Sequence, residues 1–420
     1  MILPGANTPF VAIACGGTGG HLFPGLAVAE QLQKRGCAVG LLISPKDVDQ
    51  EAVKSARGME IFTLPAVGLQ NRNYFSFAGS FVKSLFATKK IFRQRRPAAV
   101  LAMGGFTSAP PIWVGKDFGA KTFLHESNTI PGRANRLLAR FVDEAFVGFP
   151  SAAARLRARK VTATGTPVRL QFQPCDAAVC RAKLFGVPPS GGSGQPPEGG
   201  TTNLRPVILV MGGSQGASGI NDLVLSALPL LGDRTTAWQW LHLTGPNDVE
   251  KVKQAYDASG FKAVVRPFLA EMDLALGAAT AAVSRAGASS LAEIAAVRLP
   301  SLLVPYPAAA DNHQFYNAQA FETTGTARLL EQKSATPEKV AALLPELVED
   351  AAARAKIQTA LAQWHAPKAA EQIANIILSA CWSSSFSLPA KDRLKPELQQ
   401  TRGQGCPRSD AVERKNFSAA

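Results

Sequence analysis

Val11-Ala-Ile-Ala-Cys15 passes directly into Gly16-Gly-Thr-Gly-Gly20-His21, and that passage sets the architecture of the chain. Five apolar residues in a row, with no polar alternation, read as a strand buried on both faces, as in parallel sheets. The glycines end the strand in a tight turn. An amphipathic stretch from about Phe23 to Arg35, closed by Gly36, reads as the helix that follows. Glycine lets the backbone approach a ligand closely, and a helix N-terminus offers unpaired N–H groups with about half a positive charge. The turn does not spell G-x-G-x-x-G, and Leu32 to Ser44 contains no acid to hold a ribose, so a dinucleotide cofactor is disfavoured.

The same alternation continues outward. Val39 to Ser44, Ile61 to Pro65, Ala99 to Met103, Thr122 to Leu124 and Glu144 to Gly148 read as further strands separated by helical patterns. Such spacing means a parallel sheet covered by helices. After Gly165-Thr-Pro-Val-Arg169 the chain starts over. Arg205 to Met211 is a second buried strand, and Gly212-Gly-Ser-Gln-Gly-Ala217 repeats the glycine turn. Trp238 to Leu243, Ala263 to Arg266, Ala281 to Ser284 and Ser301 to Val304 extend a second sheet. The expected division is 1–168 and 169–368, with a mobile loop at 187–203, a last helix at 369–380 and a patternless tail at 381–420.

Composition supports this reading. With 420 residues, 46% hydrophobic and 18% charged, the chain can build two cores, which excludes a disordered chain or a small disulfide scaffold. No run reaches the roughly 18 apolar residues of a spanning helix. No Lys or Arg precedes Lys34, so the first apolar run lacks the basic flank of a secretory signal. The six cysteines, without a C-x-x-C pair, read as reduced thiols of a protein kept inside the cell. A net charge of +14 points to anionic partners.

Three further junctions carry polar groups at strand ends. Ser284-Arg-Ala-Gly-Ala-Ser-Ser-Leu-Ala-Glu293 has the spacing of a capping box between Ser290 and Glu293, or of a carboxylate presented to ribose hydroxyls. Asp311-Asn-His-Gln314 with Asn317 offers uncharged groups suited to a sugar. His125-Glu126-Ser-Asn128 places a possible acid–base pair at a cleft edge. Dispersed histidines give no metal site, and Asp47-Val-Asp49 stands alone as a surface turn. Neither glycine turn is a P-loop.

Residues 61–116 contain no Asp or Glu. Phe75 and, on a helix from about Ser76 to Arg96, Phe81 are interleaved in one segment with Lys89, Lys90 and Arg93, a composition that suits an anionic bilayer surface. No nucleic-acid recognition module is legible.

Six of these motifs, in this order over about residues 10–380, resemble the MurG-type N-acetylglucosaminyltransferases: Gly16 to His21 with Phe23-Pro24, His125 to Asn128, Gly165 to Arg169, Gly212 to Ala217, Ser284 to Ala288 with Glu293, and Asp311 to Ala318. The resemblance implies a GT-B fold, α/β, with two Rossmann-like domains facing across a cleft. It implies a UDP-GlcNAc donor and an undecaprenyl-diphosphate-linked MurNAc-pentapeptide acceptor, lipid I. It also implies a peripheral position on the cytoplasmic face of the inner membrane, and no cofactor. Donor contacts carried over would be Thr18, Gly19, Gly20, Asn128, Arg169, Ser214, Leu269, Ala288, Ser289, Ser290, Glu293 and Gln314.

The expected reaction is inverting transfer to the 4-hydroxyl of MurNAc. His21 is the candidate for the base, or for a residue that orients the acceptor, since a helix N-terminus disfavours imidazolium; Glu126 is the competing candidate for the base. Leaving-group charge would fall on Ser214, Arg169 and nearby amides. A UDP-GlcNAc 2-epimerase of the same fold is the alternative, and a non-catalytic scaffold would show no UDP-dependent stabilisation.

Overall fold

The computed structural model of the chain describes residues 8–46, 49–50, 53, 56, 58–65, 74–185, 205–213, 216–232 and 237–382, with the backbone alone at 74–76. The loop expected at 187–203, the tail beyond 382, Ser214 and the side chain of Phe75 lie outside the described residues.

A first sheet comprises β1 (Phe10–Ala14), β2 (Ala38–Ile43), β3 (Glu60–Thr63), β4 (Ala99–Ala102), β5 (Lys121–Glu126), β6 (Glu144–Val147) and β7 (Val161–Ala163), ordered β3-β2-β1-β4-β5-β6-β7. A second comprises β8 (Val207–Met211), β9 (Gln239–Leu243), β10 (Lys262–Arg266), β11 (Ala281–Ser284), β12 (Ser301–Leu303) and β13 (Arg328–Leu329), ordered β10-β9-β8-β11-β12-β13. Every described pairing is parallel. The central strands β1, β4, β8 and β11 are buried at every residue, which is why they read as unbroken apolar runs.

Each sheet reverses its winding once, between β1 and β4 in the first and between β8 and β11 in the second. At such a point the flanking connections leave to opposite sides and open a crevice at the strand C-termini. Gly16 to Gly20 and Gly104-Gly105 rim the first crevice. Gly212-Gly213 and Arg285 to Gly287 rim the second.

The chain crosses between lobes more than once. Phe149, just after β6, stacks into the second lobe's core, 5.1 Å from the Trp364 ring and 6.3 Å from Phe321. The last helix, Ala369–Trp382, returns to the first lobe. Its Ile373, Ala374, Ile377 and Leu378 join a core with Val11, Ile13, Leu26 and Leu32. Arg35 fastens it through Asn375 (2.8 Å) and Glu371 (3.0 Å).

Local expectations shift in three places. The first helix starts at Gly19 rather than near Phe23, because the glycines supply its first turn. β5 runs on through His125 and Glu126. The Ser290–Glu293 capping box does not form: Gly287 is the N-cap of helix Ala288–Val297, so Ser290 already lies inside the helix.

Candidate active site

The two crevices meet in one cavity of about 1900 Å³. The first lobe contributes Thr18, Gly19, Gly20, His21, Glu126 and Asn128 to its wall. The second contributes Leu269, Ala288, Ser289, Ser290, Glu293 and Gln314, and Arg169 enters from the connection between them. The positions named from sequence that fall among the described residues therefore converge, Phe81 at the far end included; Lys89, Lys90 and Arg93 lie outside on the helix surface.

His21, the third residue of helix Gly19–Lys34, lies against Gly104 and Gly105. A Cβ on Gly104 would sit 2.8 Å from His21 Cε1, and one on Gly105 would sit 3.2 Å from Cδ2. Both glycines have positive φ, 111° and 79°, so they provide space and chain reversal together. His21 is held below the usual imidazole range, chiefly by burial; Glu126, the Met103 carbonyl and Asp49 oppose that and His313 adds to it. The Met103 carbonyl favours the charged ring, but Nδ1 itself makes no well-formed hydrogen bond. The ring is therefore neutral near pH 7 and able to take a proton.

Glu126 differs. One carboxylate oxygen accepts from the Asn128 N–H (2.8 Å) and Nδ2 (3.0 Å), and the other from the Gly132 N–H (2.9 Å) and Asn135 Nδ2 (2.8 Å). Four donors occupy its acceptor positions, so it organises the loop after β5 rather than standing free as a base. His125 is fully buried and pushed down to about 4, chiefly by burial. Its Nε2 donates to the Gly165 carbonyl (3.1 Å), which leaves Nδ1 to accept the Ser127 hydroxyl (3.2 Å). It ties β5 to the inter-lobe connection and is not available for proton transfer.

Across the cleft, Glu293 is pushed up to about 7 by burial, with Asp273 adding to the shift and Arg169 opposing it. The Arg169 guanidinium lies 4.0 Å from Glu293, the outer limit of an ion pair. It is also sandwiched over Phe23 (4.4 Å) and Phe172 (5.0 Å), which explains why burial outweighs it. Gln314 Oε1 accepts the Tyr306 N–H at 3.0 Å.

Several residues were not singled out from sequence. Arg285, almost buried, donates to the carbonyls of Val304 (3.0 Å) and Pro305 (3.1 Å) and so joins the loops after β11 and β12. Its signal was a cation placed directly after a buried strand. Asn135 lines the cavity beside Gly104. Asn317, named only as a sugar-type polar residue, spans the lobes. Its Oδ1 accepts the Thr129 N–H and Oγ1 (both 3.0 Å), and its Nδ2 donates to Asn128 Oδ1 (3.0 Å) and the Ala286 carbonyl (3.1 Å). Asp311 receives Arg133 and Arg136 from the opposite lobe at 3.3 and 2.7 Å. The surface turn expected at Asp49 is a correction: that carboxylate is fully buried beneath the first glycine turn. Among the described residues no His, Cys, Asp and Glu group could hold a metal ion.

Two parallel-sheet lobes with their strand ends turned toward one cleft define the GT-B fold class. The glycosyltransferase family 28 N-terminal domain matches residues 11–147 and its C-terminal domain residues 207–373. A relative from Anaeromyxobacter sp. (strain Fw109-5), named UDP-N-acetylglucosamine--N-acetylmuramyl-(pentapeptide) pyrophosphoryl-undecaprenol N-acetylglucosamine transferase, is 36% identical over 87% of this chain and 91% of its own. The crystal structure of Acinetobacter baumannii MurG has the same fold, with TM-score 0.66 and 24% identity over 88% of this chain and 99% of that one. A putative UDP-N-acetylglucosamine 2-epimerase from Listeria monocytogenes shares the fold at TM-score 0.65 and 14% identity, covering 90% and 98%. The chain belongs to the MurG family.

Proposed function

We propose that the chain transfers GlcNAc from UDP-GlcNAc to the 4-hydroxyl of lipid I, with inversion, to form lipid II. The observation that carries this is a single cavity with a neutral His21 on one wall and the start of helix Ala288–Val297 with Glu293 on the other. The acceptor hydroxyl attacks the anomeric carbon from the face opposite the nucleotide. His21 takes the hydroxyl proton as the new C–O bond forms, while the bond to UDP breaks and UDP leaves as the anion. The N–H groups opening helix Ala288–Val297 have no partners inside the helix, and with Arg169 they receive the leaving diphosphate. Glu293 accepts the ribose hydroxyls.

The relatives at 33–36% identity carry the transferase name, whereas the 2-epimerase is alike in fold alone. The helix Tyr74–Gln94 would hold the enzyme on anionic lipid. Its Phe86 is 70% exposed and Val82 48%, and Lys89, Lys90 and Arg93 are exposed beside them. Among the described residues no helix is long and apolar enough to cross a membrane. Phe81, half-buried against Trp113 at 5.3 Å, lines the cavity, which suits contact with a lipid tail.

Radiolabelled UDP-GlcNAc incubated with lipid I tests the reading directly. Label should move to lipid; conversion of the nucleotide sugar to its 2-epimer without lipid would establish the alternative. His21→Ala should lower kcat by about 100-fold or more, a typical general-base contribution, with UDP affinity within about two-fold. Equal losses in both would remove His21 from that role.

A further inference from the structure

Asp49 is the only member of the Asp47-Val-Asp49 motif among the described residues, and it has no place in the chemistry above. It is 0% exposed, in a protein where an unpaired buried carboxylate is costly. Its Oδ2 accepts the Gly17 N–H at 2.6 Å, the Ser44 N–H at 3.1 Å and the Ser44 hydroxyl at 2.5 Å. Two other side chains hold the same short segment. Lys46 Nζ donates to the Gly17 carbonyl at 3.0 Å while lying 5.6 Å from the Phe106 ring centroid. The buried Thr107 hydroxyl donates to the Gly16 carbonyl at 2.8 Å.

The Gly16-Gly17 segment is thus gripped at one N–H and two carbonyls by residues following β2 and β4. Its conformation needs that grip. Gly17 has φ 111°, and a Cβ on Gly16 would lie 2.3 Å from the Ser44 nitrogen. A glycine-rich turn without such ties would sample many conformations, because glycine has more backbone freedom to lose than any other residue. Immediately beyond lie Thr18, the N-cap, and Gly19, Gly20 and His21, the first residues of the helix. The N–H groups of Gly19 and Gly20 have no partners inside the helix, whereas the His21 N–H turns back to the Thr18 carbonyl at 3.1 Å.

We propose that Asp49 is a positioning residue of the transfer reaction: by fixing the Gly17 peptide, with Lys46 and Thr107, it aims the amides of residues 18–20 and the His21 imidazole into the cleft. The assignment rests on the transferase reading above. A carboxylate suits the task because it accepts several N–H and O–H donors at once, and charge-assisted bonds are roughly twice as strong as neutral ones. It takes up the Gly17 amide, so that an incoming anion meets the amides nearer the helix. Its negative charge also reaches His21. The titratable groups that act on that ring are Glu126 from β5, Asp49 after β2 and His313 from the second lobe, and both acids favour the charged ring.

Asp49→Asn keeps the shape and removes the charge, and Asp49→Ala removes both. Each is compared with wild type for kcat, UDP affinity by calorimetry, the pH profile of kcat/KM and hydrogen exchange of the peptide spanning 10–21. The expected result is a loss in kcat of about 100-fold, the scale of a misplacement near 1 Å, with UDP affinity changed less than about three-fold. The acid limb should move to lower pH in both variants, since removing a negative charge lowers the pKa of a nearby imidazole. A role in folding alone would not move that limb. Exchange at 16–21 should quicken in both variants, and this readout needs no turnover. If wild type transfers sugar but Asp49→Asn matches it in kcat, or loses kcat and UDP affinity equally with the acid limb unmoved, the proposal is overturned. If wild type transfers nothing, the transferase reading fails instead, and unchanged exchange at 16–21 would still overturn the grip assigned to Asp49.

Discussion

Glu293→Gln should make the ligand-free protein more stable, and only above a definite pH. Glu293 is pushed from an ordinary 4.5 up to about 7, first by burial. Its side chain is 14% exposed, so solvent screens the effect little. A folded-state pKa above the unfolded value means that the native state favours the protonated carboxyl. That contribution is complete below about pH 4.5 and is lost as pH climbs to about 7. One unit corresponds to about 1.4 kcal/mol, so the charged form costs the fold about 3 kcal/mol above pH 7. Glutamine imitates the protonated carboxyl in shape and carries no charge. Wild type and Glu293→Gln should therefore melt together near pH 4.5 and separate as pH rises. By pH 8 the variant should be higher by roughly 6–12 °C for a lobe of this size. Thermal scans in a pH series without ligand measure it. UDP should raise the melting temperature of wild type more than that of the variant, since the amide lacks the carboxylate's second acceptor oxygen for the ribose while the diphosphate contacts remain. A difference in melting temperature that is constant between pH 4.5 and 8, or that favours wild type at pH 8, would refute a carboxyl held buried and largely neutral. The stability given up at neutral pH has a functional return: a desolvated carboxyl that ionises as ribose hydroxyls arrive.

Two further outcomes follow from geometry. Gly104→Ala places a Cβ 2.8 Å from His21 Cε1 at a φ of 111°; the strain of about 1–2 kcal/mol is modest beside the displaced imidazole. Turnover should fall about 100-fold with UDP affinity retained, and unaltered kcat would show that the ring's placement does not matter. Replacing Phe86, Lys89 and Lys90 together by Ser removes an exposed apolar anchor and two surface cations. Partition onto vesicles containing anionic lipid should weaken by about 4 kcal/mol, roughly a thousand-fold, as read by sedimentation. Transfer to a short-chain soluble acceptor should be unaffected, and undiminished vesicle binding would assign the membrane contact elsewhere.

The strand-and-glycine junctions were legible because each is a local pattern. An unbroken apolar run fixes a buried strand, and glycines after it fix the turn, whatever the rest of the chain does. The winding reversal that puts Gly16 next to Gly104, and Gly212 next to Arg285, follows from strand order, which periodicity does not encode. Asp49 was misread for the same reason. In sequence it is an acid in the mostly polar stretch from Lys46 to Glu51; in space it lies under the turn 32 residues earlier. Glu126 reads in sequence as a candidate base, but in the fold four donors occupy its carboxylate. Ser290 and Glu293 have capping-box spacing, but the helix begins three residues too early for it.

By itself the sequence determined two α/β lobes of parallel strands, the glycine-lined strand ends, and the set of polar residues at those ends. Hydrophobic period and turn chemistry are properties of neighbouring residues. Only the tertiary structure decided which of those polar residues can react. His21 is neutral, Glu293 is held near pH 7, His125 is tied to Gly165, and Asn317 meets Thr129 across 188 positions of chain. Burial and the approach of distant charges set these states, and both exist only once the two lobes have closed on one another.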